Sequence, residues 1–149
     1  MSYKLYEPFL EATRNVFRLM LDISDVSDNP TDSFVCDDAL DVSIGVVGDL
    51  TGEVVYHFPN ATSLNMVAIM SGMKMESVDD FVTSAISEIA NIISGNVLTL
   101  LSKDDLKCDI LPPRLLKPDD SANFALQSAS CITTSIGDVC LDIRLAPAN

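Results

Sequence analysis

The stretch SVDDFVTSAISEIANIISGNVLTLLS, residues 77–102, sets the architecture that we expect for the whole chain. Apolar residues recur in it every three or four positions, which predicts one long helix with a wide buried stripe. Ser77 and Asp80 are predicted to cap the start of this helix, as a variant of the capping box. The residues predicted to line the stripe are Val78, Phe81, Val82, Ala85, Ile86, Ile89, Ile93, Val97 and Leu100.

Glu88 and Asn91 fall outside the stripe and lie three positions apart, so both point to the same side of the helix, one turn apart. Their predicted neighbours on that side, Ser84, Ser87 and Gly95, are all small. A glycine inside a helix costs about 1 kcal/mol relative to alanine, which indicates close approach by another surface. A carboxylate can bind a cation and an amide can hold a water. The pattern therefore predicts a face that completes another protein's active site, with ordinary solvated residues as the competing interpretation.

Two further helices are predicted. The first covers residues 7–21, where apolar residues follow the helical period and Pro8 suits the first turn. The segment 24–33 that follows it, rich in Asp, Ser, Asn and Pro, is expected to be a loop that can contain short extended pieces. The second, short helix starts with Asn60 or Thr62 as a cap and runs to about Met70, where the sequence Ser-Gly-Met at 71–73 ends it.

The remaining segments predict strands joined by hairpins. A five-residue turn at 48–52 connects the first two strands, the prolines at 112 and 113 break the third, and a turn at 136–138 closes the last hairpin. The element order α-β-β-α-α-β-β-β indicates an α+β fold, with an antiparallel sheet and helices packed on one face. Residues 1–149 are expected to form a single domain. The predicted strands are 40–47, 53–58, 108–116, 122–135 and 139–145.

Composition excludes several classes of protein. The chain has 149 residues, of which 48% are hydrophobic, enough for a packed core. No apolar run reaches the roughly 20 residues of a membrane span, and the charges at positions 4, 7 and 11 argue against a signal peptide. We therefore expect a cytoplasmic protein without membrane insertion.

Charge is also informative. The net charge is −13, and residues 19–73 contain no lysine or arginine, which argues against nucleic-acid binding. The acidic run 22–41 is interpreted as a solvated loop or strand edge that keeps the protein soluble or, alternatively, as a docking patch for a basic partner.

Neither the cysteines nor the histidine predict a metal or catalytic site. The four cysteines have no C-x-x-C spacing, so no metal ligands are assigned. The expected hairpin turn would pair Cys140 with Thr133 or Ser135 instead of Cys131, and four reduced thiols are expected. His57, the only histidine, reads as a packing or edge residue because no motif places an acid or a serine beside it.

Three segments, taken in order, resemble one known family. Residues 87–96 (SEIANIISGN) are similar to the motif helix of the CheC/CheX/FliY chemotaxis phosphatases. Residues 8–17 (PFLEATRNVF) and the hairpin 41–52 (DVSIGVVGDLTG), which leads into a strand ending at 58–59, resemble the CheX branch. The resemblance covers residues 8–145.

The resemblance implies a specific function. Members of the family hydrolyse the aspartyl phosphate of a CheY-type response regulator. By this resemblance Glu88 and Asn91 are the catalytic pair: Glu88 would dock a regulator lysine, and Asn91 would position the attacking water. The magnesium ion would belong to the regulator, so no cofactor of the chain's own is expected, and a homodimer formed through the sheet is implied. Glu11 and Asn15, four positions apart, fit a degenerate second copy.

Two alternatives stay open at this point. The chain could be a non-catalytic module that binds a response regulator or serves as a chemotaxis or flagellar scaffold. It could also be a structural, sheet-pairing protein whose polar helix face is only solvated.

Overall fold

The computed structural model describes residues 2–30, 39–116 and 129–147. These residues form three helices and seven strands. In chain order the elements are α1 (Ser2–Leu21), β1 (Ser27–Pro30), β2 (Ala39–Gly48), β3 (Leu50–Pro59), α2 (Asn60–Ser71), α3 (Asp80–Lys103), β4 (Cys108–Ile110), β5 (Arg114–Leu115), β6 (Ala129–Thr134) and β7 (Gly137–Pro147).

All strands join one antiparallel sheet in the order β1-β6-β7-β3-β2-β4, and β5 also pairs with β2. Because side chains alternate between the faces of a strand, one sheet face carries the apolar residues that pack against the helices. The predicted α+β fold, with an antiparallel sheet and helices on one face, is confirmed. The strand residues in this core include Val42, Ile44, Val54, Tyr56, Phe58, Ile132, Val139, Leu141 and Ile143.

Helix α3 lies on the sheet through its apolar stripe, as predicted from the sequence. Eight of its residues are buried: Val82, Ile86, Ile89, Ala90, Ile93, Ser94, Val97 and Leu101. The stripe differs from the prediction at Phe81, whose side chain is 56% exposed. By length and apolar content, α3 is the one helix among the described residues that could cross a membrane. The core helix of a packed domain meets the same criteria, and the stripe of α3 lies in the core.

One polar contact fixes α3 to the sheet inside this core. The hydroxyl groups of Tyr56 on β3 and Ser94 on α3 are hydrogen-bonded at 2.8 Å and are buried. Burial raises the pKa of the Tyr56 phenol well above its ordinary value, so the hydroxyl stays protonated and keeps its hydrogen bond. A buried hydroxyl needs such a partner, so the pair constrains the rotation and position of α3.

The predicted helix starts are wrong in detail. Asp79 caps α3, because its carboxylate accepts a hydrogen bond from the Val82 amide at 3.0 Å, so the predicted Ser77–Asp80 pair does not form the cap. Helix α1 already begins at Ser2, which places Pro8 inside it.

The start of α2 also differs from the prediction, whereas its end is confirmed. The helix follows Pro59 and has no side-chain cap. The Thr62 hydroxyl instead donates to the Asp138 carbonyl at 3.0 Å, which ties α2 to β7. The predicted stop is confirmed at Gly72, which has a φ of 74° and donates its amide to the Ala68 carbonyl.

The strands extend beyond their predicted ends because each long strand has two partners. Pairing between β2 and β3 stops at Val46 and Gly52, so the five residues between the paired ends are 47–51, one position earlier than the predicted turn at 48–52. Strand β2 continues to Gly48 because it pairs there with β4, and β3 begins at Leu50 because it pairs there with β7. The predicted break at the two prolines is confirmed, since they lie between β4 and β5.

The four-residue strand β1 lies within the segment 24–33, where a loop with short extended pieces was expected. Its pairing with β6 was not predicted. The first part of the predicted strand 122–135 and most of the acidic run 31–38 lie outside the described residues.

The expectation of four reduced cysteines is wrong. The last hairpin turns at residues 135–136, with Thr134 paired to Gly137, so Cys131 faces Cys140 directly. The two cysteines form a disulfide, with Cα atoms 4.0 Å apart. The error came from placing Gly137 inside the turn, whereas it begins β7 with a φ of 132°. Cys108 is free.

We predict that reducing the Cys131–Cys140 bond lowers the free energy of unfolding by about 2–3 kcal/mol, because a closed loop of this size restricts the unfolded chain. The measurement is urea denaturation with and without a dithiol reductant. The double variant Cys131→Ser with Cys140→Ser serves as the control, and its stability should not respond to the reductant. Equal midpoints for the oxidised and reduced wild type would contradict the prediction.

We also predict that Tyr56→Phe and Ser94→Ala each lower the free energy of unfolding by about 1–3 kcal/mol, because each leaves one buried hydroxyl without its partner. The double variant should lose less than the sum of the two single losses. Chemical denaturation of all four proteins provides this test. Strict additivity would show that the two hydroxyls do not interact.

Candidate functional site

The packing of α3 determines where the two predicted site residues lie. With the stripe buried against the sheet, Glu88 is exposed and Asn91 is half-buried on the outer surface of the helix. Helix geometry separates their Cα atoms by about 4.5 Å along the axis and by about 60° around it. The structure therefore places a carboxylate and an amide next to each other at the protein surface.

The side chains of Glu88 and Asn91 have no polar partner among the described residues. Within residues 2–30, 39–116 and 129–147, neither Glu88 nor Asn91 makes a hydrogen bond or an ion pair through its side chain. Other acidic side chains near helices and strands do have such partners: Asp79 caps α3, and Glu53 accepts a hydrogen bond from Ser43 at 2.9 Å. Glu88 and Asn91 can thus bind an external group without first breaking an internal bond.

The residues that surround Glu88 and Asn91 on α3 have short side chains. Ser84 is exposed and Ser87 and Gly95 are half-buried, so no long side chain on this part of the helix stands above the pair. A Cβ added at Gly95 would meet nothing within 4 Å, which shows that packing within the chain does not require a glycine there. The open space at Gly95 is available to the surface of another molecule.

The second glutamate–asparagine pair, Glu11 and Asn15 on α1, differs from the pair on α3 in its hydrogen bonds. The Asn15 amide donates to Asn96 Oδ1 on α3 at 3.3 Å, and its own Oδ1 accepts from Arg18 Nη2 at 3.5 Å. The oxygen and the nitrogen of this amide are therefore both engaged, and the side chain connects α1 to α3. Asn96 had no predicted role, because a contact between helices distant in sequence leaves no local pattern.

His57 lies away from this site. It is buried on the sheet face opposite the helices, as expected for a packing residue, and its Nδ1 contacts the Asp41 carboxylate. Asp41 stands directly opposite His57 in the β2–β3 register. A turn at 48–52 would instead pair residue 57 with residue 43, so the predicted hairpin did not indicate this contact. On the neighbouring strand β7, Arg144 contacts Asp142 at 2.8 Å. The sheet separates all of these groups from Glu88 and Asn91.

No group of three or more His, Cys, Asp or Glu side chains in the described ranges is arranged to hold a metal ion. Glu88 and Asn91 themselves offer a carboxylate and a neutral amide, which can bind a cation and orient a water.

Comparison with known proteins supports the resemblance seen in the sequence. Residues 41–135, which include Glu88 and Asn91, match the family model described as chemotaxis phosphatase CheX. Over 78 residues the chain is 33% identical to a protein of Thermotoga maritima named CheY-P phosphatase CheX. This match covers 52% of the chain and spans about half the length (50%) of that relative.

Solved structures share the fold over nearly the whole chain. A CheC-like superfamily protein from Shewanella sp. PV-4 superposes with a TM-score of 0.79 at 22% identity, covering 98% of this chain and 99% of that one. A chain of the CheX-CheY-BeF3-Mg2+ complex from Borrelia burgdorferi gives a TM-score of 0.76 at 22% identity, covering 94% and 96%. Because the family model matches well over half of its residues, the chain belongs to the chemotaxis phosphatase CheX family.

Proposed function

We propose that this protein is a phosphatase that hydrolyses the aspartyl phosphate of a CheY-type response regulator. The observation that carries the proposal is the pair Glu88 and Asn91, adjacent and uncommitted on an open face of α3. Membership of the CheX family and the likeness to a protein named CheY-P phosphatase support it. The regulator supplies the phosphorylated aspartate and the magnesium ion.

Asn91 positions the attacking water. In the proposed step the water oxygen attacks phosphorus, the bond from phosphorus to the aspartyl oxygen breaks, and the carboxylate leaves; a water proton is released to the solvent. The Asn91 carbonyl oxygen accepts a hydrogen bond from the water and holds it in line. An aspartyl phosphate is already activated, so orientation is the main requirement, and a neutral amide provides it without repelling the phosphoryl oxygens.

Glu88 docks the regulator. A carboxylate close to a phosphoryl group would be repelled, so its favourable partner is a cation, here a lysine of the regulator's active site. The separation of about 4.5 Å along the helix lets the carboxylate reach this lysine while Asn91 faces the phosphorus. Glu88 thereby sets the register in which Asn91 meets the phosphate.

We place the protein in the cytoplasm, where such a regulator acts. We also propose that residues 1–149 form a single CheX-like domain. The homodimer that the family resemblance implies stays a prediction.

We predict that Asn91→Ala lowers the rate of phosphate loss from the regulator by about 10², because a positioned group for the water is removed. Affinity for a beryllofluoride-loaded regulator should stay near that of the wild type. The measurement is a dephosphorylation time course with CheY-type regulators of the same organism. Asn65→Ala is the matched control and should retain activity, since Asn65 is an exposed asparagine on α2 outside the site. If Asn91→Ala acts as fast as the wild type, the mechanism is wrong.

The alternative of a non-catalytic binding module makes a different prediction. Wild-type protein would then bind the beryllofluoride-loaded regulator without accelerating phosphate loss.

We predict that Glu88→Ala weakens binding of the regulator about tenfold, and that Glu88→Lys weakens it further, because a lysine would face the regulator's own lysine. Titration of the beryllofluoride-loaded regulator measures the effect. Glu11→Ala is the matched control, since Glu11 is an exposed helical glutamate outside the site. Equal affinities for the Glu88→Lys variant and the wild type would remove Glu88 from the docking surface.

A further inference from the structure

Phe81 is a large apolar side chain that the fold does not use. It lies in the first turn of α3 and is 56% exposed, although the periodicity of the sequence assigns it to the buried stripe. Val78 and Ala85, its neighbours in that stripe, pack at least partly against the core, whereas Phe81 is not among the residues packed there. Single exposed apolar residues are common on protein surfaces, so its position relative to other groups must decide its meaning.

That position is on the same side of α3 as the candidate site. Phe81 precedes Glu88 by seven residues, or two turns, so their side chains leave the helix within about 20° of each other. Their Cα atoms are about 10.5 Å apart along the axis, and Ser84 lies between them. One strip along this side of the helix, which we call the α3 strip, is therefore formed by Phe81, Ser84 and Glu88, which are exposed, and by Asn91 and Gly95, which are half-buried.

One protein partner is large enough to cover the whole α3 strip. A standard interface covers about 800 Å² on each partner, which corresponds to a patch with a radius of about 16 Å. A regulator seated over Glu88 and Asn91 would therefore also cover Phe81. Large aromatic side chains in such patches contribute a disproportionate share of the binding free energy.

We propose that Phe81 is an apolar anchor of the docking surface for the phosphorylated response regulator. This inference rests on the proposed function, because the occupant is the regulator that Glu88 and Asn91 engage. The charges of α3 define the matching surface: up to Ser102 the helix carries only two charged residues, Asp80 and Glu88, and both are acidic. The complementary surface of the regulator has an apolar depression about 10 Å from the lysine that meets Glu88.

The test separates docking from catalysis. Phe81→Ala should raise KM for the phosphorylated regulator about tenfold and leave kcat within twofold, because the water-positioning amide is intact. Phe81→Leu, which keeps an apolar side chain, should restore most of the loss. Leu111→Ala is the matched control: Leu111 is 49% exposed and packs over Gly45, on the sheet face opposite the helices.

Binding measurements keep this inference distinct from the proposed function. In the Asn91→Ala background, Phe81→Ala should weaken binding of the beryllofluoride-loaded regulator by the same factor of about ten. If Asn91→Ala abolishes hydrolysis while Phe81→Ala changes neither KM nor affinity, the anchor is refuted and the proposed function stands. If wild-type protein has no activity but Phe81→Ala still weakens binding, the phosphatase is refuted and the docking surface stands. A change of oligomeric state in Phe81→Ala, seen by light scattering, would assign the α3 strip to self-association and overturn the proposal.

Discussion

Burial of the apolar stripe of α3 against the sheet is the constraint from which the site follows. A helix of this composition has one wide apolar side, and removing that side from water fixes its rotation. The Tyr56–Ser94 hydrogen bond adds a directional contact inside the core, because two buried hydroxyls must satisfy each other. Because the rotation of α3 about its axis is fixed, Glu88 and Asn91 lie at the protein surface, beside Ser84 and Gly95.

The contrast between the two helices explains why one pair is a candidate site and the other is not. Residue type alone does not separate them, since both contain a glutamate followed by an asparagine. On α1 the Asn15 amide is held by Asn96 and Arg18, so it supports the packing of α1 against α3. On α3 the Asn91 amide has no partner within the described residues and is free to orient a water. In this protein, hydrogen bonding within the chain, more than spacing, separates the structural amide of Asn15 from the candidate amide of Asn91.

The sequence predicted what depends on local patterns. The helical period located α3 and the face of Glu88 and Asn91, and the glycine and proline signals located the turn after β2, the end of α2 and the break between β4 and β5. The sequence did not predict the features that depend on pairing between segments distant in the chain. Short extended pieces were expected in residues 24–33, but not their pairing: strand β1 forms there because β6 lies beside it. The Cys131–Cys140 disulfide depends on a turn placed one residue earlier than expected, and in a hairpin such a shift changes every cross-strand partner. Phe81 fits the period of the stripe, yet the first turn of α3 leaves it exposed.

The α3 strip also explains how Glu88 and Asn91, neither of which is strongly reactive, could take part in a reaction. Neither a glutamate nor an asparagine hydrolyses a phosphate by itself, and both act only if another protein brings the reacting group to them. Long side chains at positions 84 and 95 would hold that protein away from the helix, whereas serine and glycine let it approach. In the proposed complex, one partner surface meets three features of α3: the short side chains around Asn91, the carboxylate one turn before it, and the aromatic ring two turns before that carboxylate. In the proposed reaction the phosphate has to arrive in a defined position, because the helix would supply orientation and the regulator would supply the reactive bond.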